Sequence, residues 1–477
     1  MTDHKHNNAR PSSLGSKVSE LLPEAKLVAG RDLVASSCCS SAGLVQAGDL
    51  YFAIDGDYQD EPLLAAARGA AGVVSQRQIA DLKLPQYLVA DVKLSFARYC
   101  HKLVGEPSHS AELIGVVGDS QAAAIPRLLA ATFSAIDSPA AWWDGRWMSD
   151  ADNEINDAGH QTAAPLVASW LSRSVANGAK QAAAHLELTV EKTEAFAACR
   201  IKTLCLAGVP REDSAAGTLA VNRERVAQLI EQLPPEGVIV ANATNQDCCH
   251  QIATANHRVL SYGLNHAADI SGEVLERHSG GQTLLVRYGR ESVAIETRTI
   301  GDDHAENCLA AITVGVAHGG ELRRVAAGIE AAPRPPATLE PVVLGQDFTV
   351  FLDQANNANR VRSAVTAVEQ ITSGRLLTVV GGASPTKDPR QLSAAANKSD
   401  LVITSGKPGP GLSDRTDFRF VEEPFAAIAL AVALAEQGDA VMITGVDVDS
   451  QGHCDQADVV RELIALRHAN TPPGWAA

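Results

Sequence analysis

The sequence predicts an α/β protein of three domains, with parallel sheets in the second and third. Three observations carry that expectation. Short β-branched runs alternate with helix-like segments along most of the chain, the pattern of strands joined by crossover helices. Two breaks interrupt the alternation, Glu106-Pro107-Ser108 and the Pro-rich stretch APRPPATLEP from Ala332 to Pro341. Leu113 to Phe133, LIGVVGDSQAAAIPRLLAATF, reads as buried strand, tight turn and helix, with Pro126 placed in the first helical turn where it is tolerated.

Taken in order, residues 1–25 are polar and expected to be a loose tail. In residues 26–108 the runs LYFAI, AGVVS and QYLVADV alternate with LLAAARGA and SFARYCHKLV, a small N-terminal α/β domain. Residues 109–335 repeat the alternation through LIGVV, HLELTV, IKTLCLA, GVIVANA and HRVLSYG, which predicts a central P-loop-type, doubly wound parallel sheet. Within it Ser138 to Pro165 lacks periodicity and is expected to be a loop. Residues 336–477 carry TVFLD, LLTVVGG, DLVITSG and AVMITGV with helices such as PFAAIALAVALAEQ, a C-terminal Rossmann-like domain whose strands end in Gly-rich turns.

Composition excludes several classes. Of 477 residues 45% are hydrophobic and 20% charged, as in globular proteins. A formal net charge of -16 argues against a nucleic-acid or anionic-membrane partner. The N-terminal MTDHKHNNARPSSLGSK has no apolar core of a signal peptide, and no run of 18 apolar residues predicts membrane insertion, so the cytoplasm is the expected location. Nine cysteines in such a chain need not pair. Cys248-Cys249-His250 has the residue types of a metal half-site, but adjacent cysteines suit a tetrahedral site poorly.

The turn after LIGVV is where phosphate chemistry is expected. A working phosphate loop wraps phosphates with glycine-rich backbone N–H groups and supplies a Lys and a Ser/Thr metal ligand. Here the loop runs Gly118, Asp119, Ser120, Gln121, Ala122, Ala123, so alanines stand at the Lys and Ser/Thr positions and Asp119 adds negative charge.

Four blocks then occur in a recognisable order: VQAGDLYFAIDGDYQDEPLLAAARGAAGVVSQ (Val45 to Gln76), LIGVVGDSQAAA, GDDHAENCLAAITVGVAHGGELRRVAAGIEAAPRPPATLE (Gly301 to Glu340), and the set FTVFLDQANNANRVRSAVTAV, RLLTVVGGASPTKD and DAVMITGVDVDSQ. In this order they resemble the Mur ligases, ATP-dependent enzymes that add amino acids to UDP-N-acetylmuramoyl peptides. The likeness is strongest to the tripeptide synthetases and covers roughly residues 30 to 452. The resemblance implies a three-domain Mur-ligase-like architecture. It marks Glu187 as a metal candidate for Mg²⁺, against a solvated strand-end carboxylate. Arg211 is the survivor of a segment whose nucleotide-site His has become Asp213. Val226 falls at the position of a carbamylated lysine, with Glu224 reached only by a register shift. Asn307 matches an adenine-holding Asn and equally a helix bridge, and Asp353 precedes Gln354 to Asn359 where the family has a nucleotide motif. Ser41-Ala42-Gly43 stands at the uridine-contacting triad, Thr338 at the linker arginine, and Gly406 to Gly409 and Gly445 to Asp449 at two further C-terminal motifs. Lys387 and Arg390 are the basic residues left in a C-terminal cleft loop, and a solvated loop suits them as well.

Losing a single preorganised charge-stabilising contact removes ~10²–10³ in rate, and such groups act as a unit. The expectation is therefore a Mur-ligase homologue without ligation, with no catalytic residue functional and no cofactor. It would act by binding a protein partner in cell-wall precursor synthesis. The alternatives are a ligase of altered mechanism that uses ATP and Mg²⁺ on a UDP-MurNAc-peptide, and a nucleotide or UDP-sugar sensor.

Overall fold

The computed structural model describes residues 15–34, 37–54, 60–156, 163–188, 194–210, 216–335, 337–381, 388–406, 417–447 and 454–470. Among them three sheets form, of five, eleven and six strands. The first holds strands Lys26–Ala29, Gln86–Leu88, Gly72–Ser75, Leu50–Phe52 and Cys38–Cys39 in spatial order, parallel except at Lys26–Ala29. The expected loose tail of residues 1–25 is corrected from residue 15 onward. A short helix, Val18–Leu21, buries Val18, Leu21 and Leu22 against Phe52, Tyr87, Phe96 and Tyr99. One turn of helix is too short to show periodicity, so the anchoring is invisible locally.

The central sheet has a parallel body: Ala140–Trp143, Gln181–His185, Glu112–Val117, Ile201–Leu206, Val238–Asn242, Arg258–Leu264 and the start of Ile270–His278. Its strands are buried on both faces, so they read as unbroken apolar runs. Two expectations are corrected here. HLELTV is not the strand; the strand is Gln181–His185, and Glu187 lies two residues beyond it. Ser138 to Pro165 is not a plain loop, since it contains strands Ala140–Trp143, Trp147–Ser149 and Glu154–Asn156, the last two added antiparallel at the sheet edge. Trp143 packs edge-on against Trp170 at 5.4 Å, and Arg127 stacks over Trp142 at 4.0 Å, so tertiary burial organises a segment of weak pattern. At the opposite edge Ile270–His278, Gly281–Tyr288 and Glu291–Thr297 form an antiparallel meander that the sequence signals by alternation and by turns at Ser279-Gly280 and Gly289-Arg290.

The C-terminal sheet orders Glu340–Pro341, Thr349–Asp353, Ala440–Thr444, Leu376–Val380, Leu401–Ser405 and Phe418–Val421, parallel apart from its first strand. The three sheets and their covering helices make the three-domain α/β architecture that the sequence predicts.

The helix after the phosphate-loop turn, Ile125–Ala135, begins with Pro126 as expected and buries Leu128, Leu129 and Phe133. It lies on helix Leu322–Ala331 so closely that a Cβ on Gly328 would come within 2.7 Å of the Ala131 carbonyl oxygen and 2.8 Å of the Thr132 Cα. These are backbone atoms and cannot yield without moving the helix that carries the loop. In an open helix Gly→Ala stabilises by ~1 kcal/mol. Here overpacking of about 1–3 kcal/mol outweighs that gain, so Gly328→Ala is expected to lower the urea midpoint. A midpoint unchanged or raised would show that the two helices are not in this contact.

Candidate active site

In open α/β sheets, ligands gather beyond the carboxyl ends of parallel strands. The central sheet meets the C-terminal domain there, across a cleft of about 890 Å³. Gly118, Asp119, Ser120, Gln121 and Ala123 line it, as do Glu187, Asn307 and Asp353. The sequence-predicted positions are therefore largely brought together.

The loop itself is tied inward. The Asp119 carboxylate accepts the Gln121 N–H at 2.9 Å, and the Asp119 carbonyl accepts the Ala122 N–H at 3.0 Å. Ala122 is buried beneath Gly118, where an added Cβ would come within 2.4 Å of the Ala122 methyl, and it faces a second cavity of about 410 Å³. The Asn307 amide donates to the Gln121 carbonyl at 2.9 Å, so Asn307 bridges helix Asp302–Ala317 to the loop. Asp353 is buried, and its carboxylate accepts the N–H groups of Leu339 at 2.9 Å and Ala355 at 2.7 Å. Burial holds its pKa above the ordinary carboxylate value.

Other positions fall elsewhere. Val226, on helix Ala216–Glu231, is fully buried among Leu229, Ile230 and Leu233 and does not line the cleft. The neighbouring Arg225 is the residue that faces the cavity. Glu224 is exposed. Arg390 pairs with Asp388 at 3.1 Å on the surface. Ser41-Ala42-Gly43 sits at a turn on the N-terminal domain. Arg211, Asp213 and Lys387 lie outside the described residues, as do Lys407 to Gly409, Val448 and Asp449.

Sequence reasoning passed over the groups that give the cleft its character. Arg127, Arg146, Arg225 and Arg360 line it from four different elements, together with His185. Arg146 rides on the turn Asp144-Gly145, an Asp-Gly hairpin signal that is legible in the sequence. Gly145 adopts φ +94°, and a Cβ there would come within 3.1 Å of a Glu187 carboxylate oxygen. The Arg146 guanidinium donates to the Gln354 side-chain carbonyl at 2.5 Å, and the Asn357 amide donates to the Ser120 hydroxyl at 3.3 Å, so both hydrogen bonds cross the cleft. His185 ends its strand buried, with neither ring nitrogen in hydrogen-bond geometry with a partner among the described residues, and burial lowers its pKa. Burial likewise raises the pKa values of Asp144 and Asp303 in the cleft and of Glu306 in the second cavity. Among the described residues no three His, Cys, Asp or Glu side chains converge so as to hold a metal ion, and Cys248-Cys249-His250 forms no such group. Among the same residues no helix is long and apolar enough to cross a membrane.

A three-domain α/β chain with a loop-bearing interdomain cleft is the architecture of the solved Mur ligases, and this chain carries a Mur ligase middle domain and a Mur ligase C-terminal domain. Residues 219–315 match the Mur ligase middle domain, and residues 339–446 match the Mur ligase, glutamate ligase domain. Over 429 residues it is 22% identical to UDP-N-acetylmuramoyl-L-alanyl-D-glutamate--2,6-diaminopimelate ligase of Geobacillus kaustophilus, covering 84% of this chain and 87% of the relative. The ligase of the same name from Bacteroides fragilis is 22% identical over 94% of this chain and 99% of its own length. A solved structure of a ligase of that name superposes with TM-score 0.70 at 18% identity, covering 95% of this chain and 99% of the other. Folylpolyglutamate synthase of Mycobacterium tuberculosis gives 0.61 at 17% identity, over 80% and 96%.

These relatives overturn the expectation that the chain is a non-catalytic homologue, because they are named as ligases. The correction has a physical root. Loss of the loop lysine does not amount to loss of positive charge, since four guanidinium groups from other elements line the same cavity.

The electrostatics of the second cavity can be checked at Glu306, which lines it. Its carboxylate accepts hydrogen bonds from the Asn242 amide at 3.0 Å and the Thr244 hydroxyl at 3.3 Å, yet burial dominates and raises its pKa. The folded state then binds the proton more tightly than the unfolded chain, so stability falls as pH rises through the raised pKa. Glu306→Gln is expected to raise Tm at pH 8 and to raise it less at pH 5. An equal effect at both values would place the carboxyl in a solvated setting.

Proposed function

We propose that this protein is an ATP-dependent carboxylate–amine ligase acting on a UDP-MurNAc-peptide, with an altered phosphate site. The observation that carries the reading is the convergence of the Gly118 loop with Arg127, Arg146 and Arg360 on one cleft between the central and C-terminal domains. The named substrates of its ligase relatives support the choice of a UDP-N-acetylmuramoyl dipeptide as acceptor.

The chemistry balances in two steps. A carboxylate oxygen of the acceptor attacks the γ-phosphorus of ATP, the bond to the β–γ bridging oxygen breaks, and ADP leaves with the electron pair. The amine nitrogen of the incoming amino acid then attacks the acyl carbon, the C–O bond to phosphate breaks, and the amine proton passes to solvent. Both steps spread negative charge over phosphoryl oxygens, which preorganised cations stabilise most. Guanidinium groups suit that task, with planar donors that match phosphate geometry. Arg146 on the central domain and Arg360 on the C-terminal domain flank the cleft from opposite sides. Among the described residues the donors for a protein-held Mg²⁺ do not fit a site, since Glu187 stands without a converging set, and no step is routed through one.

The test is ADP release from purified protein with ATP, UDP-MurNAc-L-Ala-D-Glu and a panel of amino acids. Multiple-turnover ADP release is expected only with acceptor and amine both present. Arg146→Ala and Arg360→Ala are each expected to lower kcat/KM by roughly 10²-fold. Absence of ADP release with every acceptor and amine combination would refute the reading.

A further inference from the structure

Helix Ala216–Glu231 presents two faces. Val226, Leu229 and Ile230 enter the core, while Val221, Asn222 and Arg225, spaced i, i+1 and i+4, line the cleft. Two arginines on this helix are treated differently. Arg223 is held by the buried Asp247 carboxylate, with its Nε 3.0 Å from Oδ1. Arg225 has a neutral partner, since its Nη1 donates to the Leu188 carbonyl oxygen, and among the described residues no carboxylate lies within ion-pair distance of it. A guanidinium carries five N–H donors, and this one spends a single donor on a carbonyl. Beside it the Asn222 amide is already committed to the Pro210 carbonyl at 3.0 Å, which fixes the helix face. A half-buried, permanently charged group thus stands at a cavity wall with no ion-pair partner among the described residues and donors to spare. Surface arginines avoid that state by solvation or pairing, and an anion entering the cavity relieves it.

We propose that Arg225 is an oxyanion-binding catalytic residue of the cleft, a fixed guanidinium that takes phosphoryl or carboxylate oxygens at the wall formed by Leu188 and Asn222. This rests on the ligase reading for its catalytic consequence, though the binding itself does not. The guanidinium needs no set of converging carboxylates to hold it in place, unlike a metal ion. Its anchor on the Leu188 carbonyl directs the remaining donors.

Arg225→Ala, Arg225→Lys and Arg225→Met are compared with wild type by ADP release, by calorimetric titration and by thermal unfolding. The titrants are a non-hydrolysable ATP analogue and UDP-MurNAc-L-Ala-D-Glu, applied separately. Arg225→Ala and Arg225→Met are expected to lose ~10²-fold in kcat, with Tm close to wild type, and Arg225→Lys to recover part of the loss. Affinity for at least one titrant is expected to fall about tenfold. A fall for the nucleotide analogue assigns the oxyanion to phosphate, and a fall for the sugar-dipeptide assigns it to the acceptor carboxylate. Wild-type turnover with unchanged kcat and affinities in Arg225→Ala would overturn the proposal and leave the ligase reading standing. A uniform drop in Tm and rate in Arg225→Ala, not relieved by Lys, would overturn it in favour of a structural tie to Leu188. If wild type shows no turnover, the ligase reading fails, and the titrations alone decide: unchanged affinities overturn the proposal, and a tenfold loss sustains the binding site.

Discussion

The carboxylate of Asp353 is the joint on which the cleft depends. It stands at the end of strand Thr349–Asp353, beside the parallel body of the C-terminal sheet, and accepts N–H groups from Leu339 in the linker and Ala355 in the adjoining turn. The Gln354 N–H reaches back to the Ala337 carbonyl at 2.9 Å, so linker and strand end are bound from both sides. A buried carboxylate without donors would be costly, and two backbone donors make it tolerable while fixing the geometry. Gln354, Asn356 and Arg360, the next cleft-lining residues along the chain, are thereby delivered to the cavity. Leu339 and Ala337 adopt left-handed backbone angles of φ 44° and 43°, a local strain of the kind that surrounding contacts must hold in place.

Charge in the cleft has been redistributed. The loop after Glu112–Val117 turns its amides and the Asp119 carboxylate onto itself, which leaves a compact turn in place of a wrapping cradle. Positive charge arrives from a helix, a hairpin turn, a second helix and the C-terminal domain. Burial meanwhile raises the pKa values of Asp144 and Asp303. The cavity thus gathers four guanidinium groups beside its carboxylates, although the protein as a whole carries a formal charge of -16.

The hairpin built from Trp147–Ser149 and Glu154–Asn156 shows how one supporting element serves packing and chemistry together. Trp143 and Trp170 hold its base, and the Trp170 indole N–H donates to the Ser149 carbonyl at 2.9 Å. Asp144 accepts the N–H groups of Arg146 and Trp147, which shapes the turn and presents Arg146 to Gln354 across the cleft.

Local pattern alone specifies the α/β class, the apolar strands, the helix opened by Pro126 and the loop alanines at Ala122 and Ala123, because period, turn chemistry and residue identity are all read within a short window. The order of the sequence blocks also carries the family. Which residues meet is a property of the folded chain. Val226 and Arg225 differ by one position in sequence and by about 100° around a helix, so one is a core residue and the other a cleft residue. Arg127, Arg146, Arg225 and Arg360 belong to segments far apart along the chain, and each alone reads as a solvated surface charge. Their common cavity exists because parallel strands end on one side of the sheet and the linker folds a second sheet against that side, a constraint no local window contains.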